Sequence, residues 1–268
     1  MLISSYMLDY PNIDPIALDL GIVQIRWYGI SYVVGILSAW GLLKIRIKKE
    51  HWHFNDEEVA DLVFYAMVGI ILGGRFGSVL FYNFSYYLQH PIEILYIQQG
   101  GMSFHGGLIG VIIAVWLFAR KINKTLFNVT DFIAPVVPIG LFFGRIANFI
   151  NGELWGKPSD LPWAMIFPNP MAGGVPRHPS QLYEAFLEGI VLFIILWWFS
   201  SKPRPIKSIS GLFLIGYGVF RSLIEFVRVP DANIGYLAFG WLTKGQLLSF
   251  PMIIFGVILI AMAYRKNL

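Results

Sequence analysis

Seven separate stretches of mostly apolar residues run through this sequence, each about 20 residues long, the length at which an α-helix crosses the hydrocarbon core of a bilayer. Charged residues make up only 13% of the chain, whereas a soluble domain has about 25%. Soluble globules and disordered chains both need more charge to stay solvated. The sequence therefore predicts an all-α, polytopic membrane protein with seven transmembrane helices. The predicted spans are 25–45, 59–82, 103–119, 132–150, 183–199, 211–227 and 247–264.

The length of the chain limits what else it contains. Seven spans take up about 140 residues of the 268, and the rest is divided among six loops and two tails. We therefore expect a single membrane domain over 1–268, without a separate soluble domain. The chain has no cysteine, which excludes disulfides, thiolate metal sites and a cysteine nucleophile from this chain.

Lysine and arginine are concentrated in the loops on one side of the predicted spans. Twelve of the 20 basic residues follow spans one, three, five and seven, and basic loops of a membrane protein stay in the cytoplasm. The amino terminus is therefore predicted to face out and the carboxyl terminus to face the cytoplasm. Because topology explains the net charge of +4, nucleic acid is not an expected partner. The twelve are Lys44, Arg46, Lys48, Lys49, Arg120, Lys121, Lys124, Lys202, Arg204, Lys207, Arg265 and Lys266.

Polar residues also occur at and inside the predicted spans, and with this orientation they fall in the outer halves. A charge at the bilayer centre costs about 2.5–3.5 kcal/mol on insertion scales. One explanation is structural: the arginines hold lipid headgroups or pair with the glutamates. The other is a polar pocket that opens outward, which the near absence of charge in the inner halves favours. These residues are Arg26, Tyr28, Arg75, His105, Arg145, Asn148, Glu184, Glu188, Arg221 and Glu225.

Residue spacing adds detail to this pocket. Arg145 and Asn148 are three residues apart and Arg221 and Glu225 four apart, so each pair lies on one side of its helix. The glycine-rich run 100–107 predicts a loop that enters a helix with its backbone N–H groups facing an anion. Proline and aromatic residues in 151–182 are typical of a lid or a peptide-docking surface, or of an interfacial loop anchored by tryptophan. Both alternatives stay open. We expect the outer loops 83–102 and 151–182 to cover the site.

One run of thirteen residues resembles a known family signature. Residues 144–156 read Gly-Arg-Ile-Ala-Asn-Phe-Ile-Asn-Gly-Glu-Leu-Trp-Gly, which is similar to the signature of the bacterial prolipoprotein diacylglyceryl transferases. The positions of Arg145, Asn148, Asn151, Glu153 and Gly156 all fit it. The resemblance covers nearly the whole chain in order, and it continues through the segments 26–29, 103–107, 178–184 and 221–231.

The resemblance implies a multi-pass enzyme of the bacterial cytoplasmic (inner) membrane whose active site faces outward. Members of the family move the diacylglyceryl group of phosphatidylglycerol to the thiol of the lipobox cysteine in a prolipoprotein. A thioether forms and glycerol phosphate leaves, as the first step of lipoprotein maturation. The implied partners are phosphatidylglycerol, the lipobox peptide of the prolipoprotein and the lipid bilayer. No cofactor and no metal are expected.

The resemblance also implies which residues act. His105, Arg221 and Tyr28 are expected to be catalytic. Expected to bind substrate are Arg145, Asn148, Glu153, Gly156 and Glu225.

The chemistry of the reaction suits these residue types. A thiol with a pKa near 8.5 is mostly protonated at neutral pH, so a nearby base helps, and His105 is the candidate. The alternative is that the thiol ionises with help from the arginines while His105 orients its loop. We expect Arg145 to bind the lipid headgroup and Arg221, oriented by Glu225, to bind the reacting phosphate, although the two arginines are interchangeable at this level. Asn148, Glu153 and Tyr28 are expected to hydrogen-bond the glycerol headgroup or to position an arginine.

Two other classes of function compete with this one. Ser103 lies two residues from His105, which suggests an intramembrane serine hydrolase. However, residues two apart do not share a helix face, and no Gly-x-Ser-x-Gly elbow is present. The arginines also suit an anionic-lipid transporter. A transporter needs a polar path through the membrane, and the predicted polar residues lie toward one side only.

Overall fold

The structure is a computed structural model, and it describes residues 8–21, 24–96, 101–230 and 235–265. Several sequence expectations concern residues outside these ranges: part of the predicted outer loop (97–100, including Gly100), Asp231 at the end of the resembling segment, and Lys266 of the basic tail. Within the described residues the chain is mostly helical, with one small antiparallel hairpin of β1 (Ile16–Asp19) and β2 (Gln24–Arg26). The hairpin is the exception to the all-α prediction.

The helices are named in chain order. They are α1 (Trp27–Arg46), α2 (Asp56–Phe81), α3 (Phe84–Gln89), α4 (Phe104–Lys121), α5 (Leu126–Ile133), α6 (Val137–Ile150), α7 (Ser180–Glu184), α8 (Leu192–Phe199), α9 (Ser208–Ile224) and α10 (Lys244–Tyr264). A 3-10 helix, Pro91–Leu95, follows α3, so the predicted outer loop 83–102 contains two short helices. A π-helical segment, Ala185–Val191, joins α7 to α8 and completes one 20-residue helix, Ser180–Phe199.

Five helices in the described residues are long and apolar enough to cross a membrane: α1, α2, α4, Ser180–Phe199 and α10. A sixth span results if α5 and α6 are taken as one interrupted span. The sequence predicts one continuous span over 132–150, but the helix breaks between Ile133 and Val137. Pro135 lies in the break and disfavours helical geometry at the residue before it. The apolar helix α9, at 17 residues, is shorter than the other candidates.

The chain divides into two compact units. Unit 1 comprises Met1–Leu42 and Ile133–Leu268, and unit 2 comprises Leu43–Phe132. Unit 2 is organised around the pair α2 and α4. The first helix of the pair begins at a capping box, in which the Asn55 side chain accepts from the Glu58 backbone N–H at 2.8 Å and the Glu58 carboxylate accepts from the Asn55 N–H at 2.9 Å.

Glycines bring α2 and α4 into backbone contact. Gly69, Gly73 and Gly77 recur every four residues along α2 and pack against Gly106 and Gly110 of α4. A Cβ atom at Gly73 would lie 2.7 Å from the Gly110 Cα, and one at Gly77 would lie 2.6 Å from the Gly106 Cα. Small residues at this spacing let membrane helices approach until their backbones touch, which gives van der Waals contact in place of a hydrophobic driving force.

Unit 1 packs α6, the helix Ser180–Phe199, α9 and α10. Gly189 of the π segment lies against Phe142 of α6, where a Cβ would be 2.7 Å from the Phe142 Cβ. The connection 151–182 packs its Met165, Phe167 and Ala172 against Phe149 of α6 in a small core, and Tyr10 packs against it. This connection is irregular in secondary structure, but an apolar core packs it onto the end of α6.

Candidate active site

Charged side chains from three helical segments meet in unit 1. Arg145 comes from α6, Glu184 from α7, and Arg221, Glu225 and Arg228 from the end of α9 and just beyond it. We call these five residues the arginine–carboxylate cluster. Helical spacing explains three of the five positions: Glu225 and Arg228 come four and seven residues after Arg221, so all three lie on one side of the helix.

Glu184 lies at the centre of the cluster. Its Oε2 atom is 2.6 Å from Arg145 Nε, and its Oε1 atom is 2.8 Å from Arg221 Nη1. The same Oε1 is 3.7 Å from Arg228 Nε. One carboxylate thus contacts three guanidinium groups, and its negative charge offsets their mutual repulsion.

Glu225 forms the second carboxylate of the cluster. Its Oε1 atom lies 2.5 Å from Arg221 Nη2 and 3.1 Å from Arg228 Nη1. Arg221 therefore has a carboxylate on each of its two terminal nitrogens. The terminal nitrogens of Arg145 are more loosely held: Nη1 donates to Asn148 Oδ1 at 3.5 Å, and Nη2 is 3.8 Å from Glu188 Oε2.

The carboxylates are buried more deeply than the arginines. Glu184 and Glu188 are 0% exposed and Glu225 is 2% exposed, whereas the Arg145 side chain is 19% exposed and those of Arg221 and Arg228 are 12% exposed. Buried charges need partners, and salt bridges inside a protein are screened little by salt. The cluster therefore presents positive charge toward the accessible side, with its negative charge underneath.

Asn148 and Glu153 extend the cluster along the loop after α6. Asn148 Nδ2 donates to Glu153 Oε1 at 2.7 Å, and Asn151 Nδ2 donates to the same oxygen at 3.4 Å. Gln181 Nε2 donates to the Glu153 carbonyl at 2.5 Å, which fixes the loop to the start of α7. The predicted substrate-binding residues Arg145, Asn148 and Glu153 are thus connected by hydrogen bonds.

Gly156 has a packing role in this structure. Its N–H donates to the His178 carbonyl at 2.8 Å, and a Cβ atom there would lie 2.6 Å from the His178 Cβ and 2.7 Å from the Val227 carbonyl oxygen. The next residue, Lys157, donates its N–H to that Val227 carbonyl at 2.7 Å. Only glycine fits at this crossing, which lies beside the residues that follow α9.

His178 and Tyr183 lie near this crossing. His178 Nδ1 is 3.3 Å from the Tyr183 hydroxyl, which accepts from Trp163 Nε1 at 2.7 Å. Partial burial and the positive charge of Lys157 hold the pKa of His178 below its usual range. Both effects favour the neutral form of this imidazole.

Tyr28, at the start of α1, is also in unit 1. Its hydroxyl pairs with that of Tyr32 at 3.3 Å, and it is close enough to Glu153 and Arg145 to interact with their charges. The structure thus brings six predicted site residues into one neighbourhood: Tyr28, Arg145, Asn148, Glu153, Arg221 and Glu225.

His105 belongs to unit 2, as the second residue of α4. Its ring contacts Phe104 edge-on, and the residue is half-buried. The preceding Ser103 is the N-cap of α4, with its Oγ accepting from the Gly106 N–H at 3.1 Å, and its carbonyl accepts from Gly107 N–H at 2.9 Å. The expectation that the N–H groups of 100–107 face an anion is therefore wrong for Gly106 and Gly107.

Arg75 has a structural role within unit 2. Its guanidinium donates to the backbone carbonyls of Glu93, Ile94 and Gly101, with 2.7 Å for the Ile94 contact. It also lies over the Tyr87 ring at 5.1 Å. Arg75 therefore holds the segment that contains α3 and the 3-10 helix through backbone carbonyls, a structural role that differs from the headgroup binding or glutamate pairing expected from sequence.

Sequence reasoning included Glu184 among the outer polar residues but named neither Glu184 nor Arg228 as catalytic or substrate-binding. Both have a signal in the sequence: Glu184 ends the resembling segment 178–184, and Arg228 lies seven residues after Arg221. Glu184 was expected either as an ion-pair partner of the arginines or as part of a polar pocket, and the structure shows its ion pairs within one shared cluster.

Comparisons with known proteins show which proteins this chain is similar to. The family model for prolipoprotein diacylglyceryl transferase matches residues 15–262. A phosphatidylglycerol–prolipoprotein diacylglyceryl transferase of Methylococcus capsulatus is 59% identical, covering 97% of this chain and 99% of the relative. Proteins of the same name from Pseudomonas aeruginosa and Coxiella burnetii are 56% and 54% identical, each covering 97% of this chain and 97% and 99% of the relative respectively.

Proposed function

Because the chain belongs to the prolipoprotein diacylglyceryl transferase family, we propose that its arginine–carboxylate cluster binds the phosphate of phosphatidylglycerol during transfer. The chain is a diacylglyceryl transferase that moves the diacylglyceryl group of phosphatidylglycerol to prolipoprotein. The observation that best supports the role of the cluster is the convergence of Arg145, Arg221 and Arg228 on one buried carboxylate.

The proposed reaction is a displacement at carbon. The sulfur of the lipobox cysteine attacks the glycerol carbon that is bonded to the phosphate oxygen, a C–S bond forms, and the C–O bond breaks. The electron pair of that bond leaves with the phosphate of glycerol phosphate, and the thiol proton passes to a base. Negative charge grows on the departing phosphate, so preorganised guanidinium groups lower the barrier most where they contact it.

Of the two arginines, the geometry favours Arg145 as the phosphate ligand. The charge of Arg221 is already compensated on both terminal nitrogens by Glu184 and Glu225. The terminal nitrogens of Arg145 have only long contacts, and its side chain is the more exposed. This reverses the roles expected from sequence. Arg221 then supports the cluster and adds to its positive potential.

His105 is proposed as the base that takes the thiol proton. An imidazole changes its charge near neutral pH and suits this step. Asn148 and Glu153 are proposed to hydrogen-bond the glycerol headgroup, with Tyr28 beside them. Glu225 orients Arg221, and Gly156 contributes backbone packing that keeps the connection 151–182 against the end of α9.

The membrane arrangement completes the proposal. We place seven spans in the bacterial inner membrane, with α9 as the span that is shorter than the others and α5 with α6 as an interrupted one. The basic loops lie in the cytoplasm and the active site opens outward, where secreted prolipoproteins arrive. The outer loops 83–102 and 151–182 as covers of the site remain predictions.

The test is direct transfer. Purified protein is incubated with phosphatidylglycerol vesicles and a synthetic lipobox peptide, and the peptide is examined by mass spectrometry. We expect a mass gain equal to one diacylglyceryl group on the cysteine, together with free glycerol phosphate. A matched peptide with serine in place of the cysteine should gain nothing. Release of fatty acid would indicate a hydrolase, and lipid binding without a mass gain would indicate a transporter.

A further inference from the structure

Glu184 differs from the other carboxylates near the site in how many arginines it contacts. It lies within 4 Å of Arg145, Arg221 and Arg228, through both of its oxygens. In the described part of the chain, Glu225 pairs with Arg221 and Arg228 but not with Arg145. Glu184 is therefore the carboxylate that connects Arg145 to the other two arginines.

The contact to Arg145 has a specific geometry. Glu184 Oε2 lies 2.6 Å from Nε, the nitrogen nearest the backbone, as an ion pair rather than an aligned hydrogen bond. The terminal nitrogens Nη1 and Nη2 keep only their long contacts to Asn148 and Glu188. A carboxylate on the terminal nitrogens, as on Arg221, occupies the fork that binds phosphate. The position of Glu184 thus holds Arg145 while keeping its fork available to a second anion.

Electrostatics give Glu184 a further effect. Guanidinium groups a few ångströms apart repel one another, and the repulsion is strong where water is excluded. Removing Glu184 leaves Arg221 and Arg228 paired with Glu225 but takes from Arg145 its nearest carboxylate, and losing a partner is costly for a charge in a protein interior. Without Glu184, Arg145 is expected to turn away from Arg221 and toward water or Glu188.

We infer that Glu184 is a positioning residue for the transfer reaction: it orients Arg145 so that both terminal nitrogens meet the phosphate of the lipid. This inference rests on the proposed function of the cluster. Glu184 itself contacts no reacting atom, and its effect passes through Arg145.

The experiment compares Glu184→Gln with Glu188→Gln. Glu188 is a matched control because it lies one turn further along the same helix, is equally buried, and has Arg145 no closer than 3.8 Å. Initial rates of peptide modification are measured at several phosphatidylglycerol concentrations. We expect Glu184→Gln to lower kcat/KM for the lipid about 100-fold, which is typical of small misplacements in an active site, and Glu188→Gln to lower it much less. Equal losses would overturn the inference.

A double-mutant cycle separates positioning from general stability. In an Arg145→Lys background the residue through which Glu184 acts is already changed, so Glu184→Gln should add less than about tenfold to the loss. Fully multiplicative losses would show that Glu184 acts independently of Arg145 and would contradict the inference. Thermal unfolding in detergent, measured for each variant, shows whether a loss of activity comes from a loss of stability.

Glu184→Asp covers the case in which the glutamine variant fails to fold. Aspartate keeps the charge, but its side chain is one methylene shorter and cannot reach both Arg145 and Arg221 at hydrogen-bond distance. We expect a folded protein with reduced kcat/KM, and a wild-type value would overturn the inference. If the wild-type protein itself transfers nothing in the same assay, the proposed function fails instead.

Discussion

At the scale of single residues, Arg145 and Arg221 show how surroundings distinguish two identical side chains. Helical spacing in the sequence places Arg145 beside Asn148 and Arg221 beside Glu225. The structure confirms both contacts. Spacing says nothing about partners on other helices, and Glu184 is such a partner. The roles of the two arginines therefore could not be separated before the tertiary contacts were known.

Replacing Arg145 by lysine tests the assignment of the phosphate ligand. Lysine keeps the charge but cannot bind Glu184 through one nitrogen while presenting two others. We expect kcat/KM for phosphatidylglycerol to fall roughly 10- to 100-fold, as for the loss of one hydrogen bond to a charged group. The control is Arg204→Lys, whose Nε donates to the Phe199 carbonyl away from the cluster. That variant should stay close to wild type, and an equal loss in both would contradict the assignment.

The base is tested by His105→Gln. Turnover should fall strongly at neutral pH, while binding of phosphatidylglycerol to the purified protein is retained. As the pH rises toward the thiol pKa of about 8.5, the peptide ionises without a base and the difference from wild type should shrink.

His53→Gln serves as the control for that experiment, since His53 is exposed and lies between α1 and α2, outside the loops predicted to cover the site. It should keep wild-type turnover at every pH. A His105→Gln variant with wild-type turnover at neutral pH, or with the same fractional loss at every pH, would assign His105 a structural role.

At the scale of elements, apolar length predicted most helices and local chemistry explains the departures. The first residues of α2 and α4 follow from their N-caps, Asn55 and Ser103, which are residue types that the sequence shows to favour helix starts. The break before α6 follows from Pro135, which a search for apolar stretches does not weigh. The π segment Ala185–Val191 has no signal that we find in the sequence, because packing between helices decides such insertions.

Backbone contact between α2 and α4 makes a prediction for Gly110. A Cβ there would meet the Gly73 Cα at 2.8 Å, so Gly110→Ala should lower the free energy of unfolding by about 1–3 kcal/mol, as overpacking does. Gly41→Ala is the matched control, because nothing lies within 4 Å of a Cβ at that position of α1. Alanine favours a helix over glycine, so this control should be neutral or slightly stabilising. Thermal unfolding in detergent measures both, and a stable Gly110→Ala protein would contradict the packing.

At the scale of the whole molecule, composition alone indicated a membrane protein, and the helices agree. Orientation was predicted from charge, and it can be tested because the chain has no cysteine of its own. A single cysteine introduced at Asp160 should react with a membrane-impermeant maleimide added outside intact spheroplasts. One introduced at Ser201 should react only after the membrane is permeabilised. The reverse pattern would invert the topology.

Hydrogen bonds at the base of the connection 151–182 have a consequence for how this region can vary. The N–H groups of Gly156 and Lys157 bind the carbonyls of His178 and Val227, and the His178 N–H returns to Lys157. These backbone hydrogen bonds join the two ends of the connection to each other and to the end of α9, and they do not involve the residues at its far tip. Gly173 and Gly174, exposed at the far tip, are free to accept extra residues. The sequence of the tip can thus change, or an epitope tag can be inserted there, while the hydrogen-bonded base beside the arginines keeps its structure.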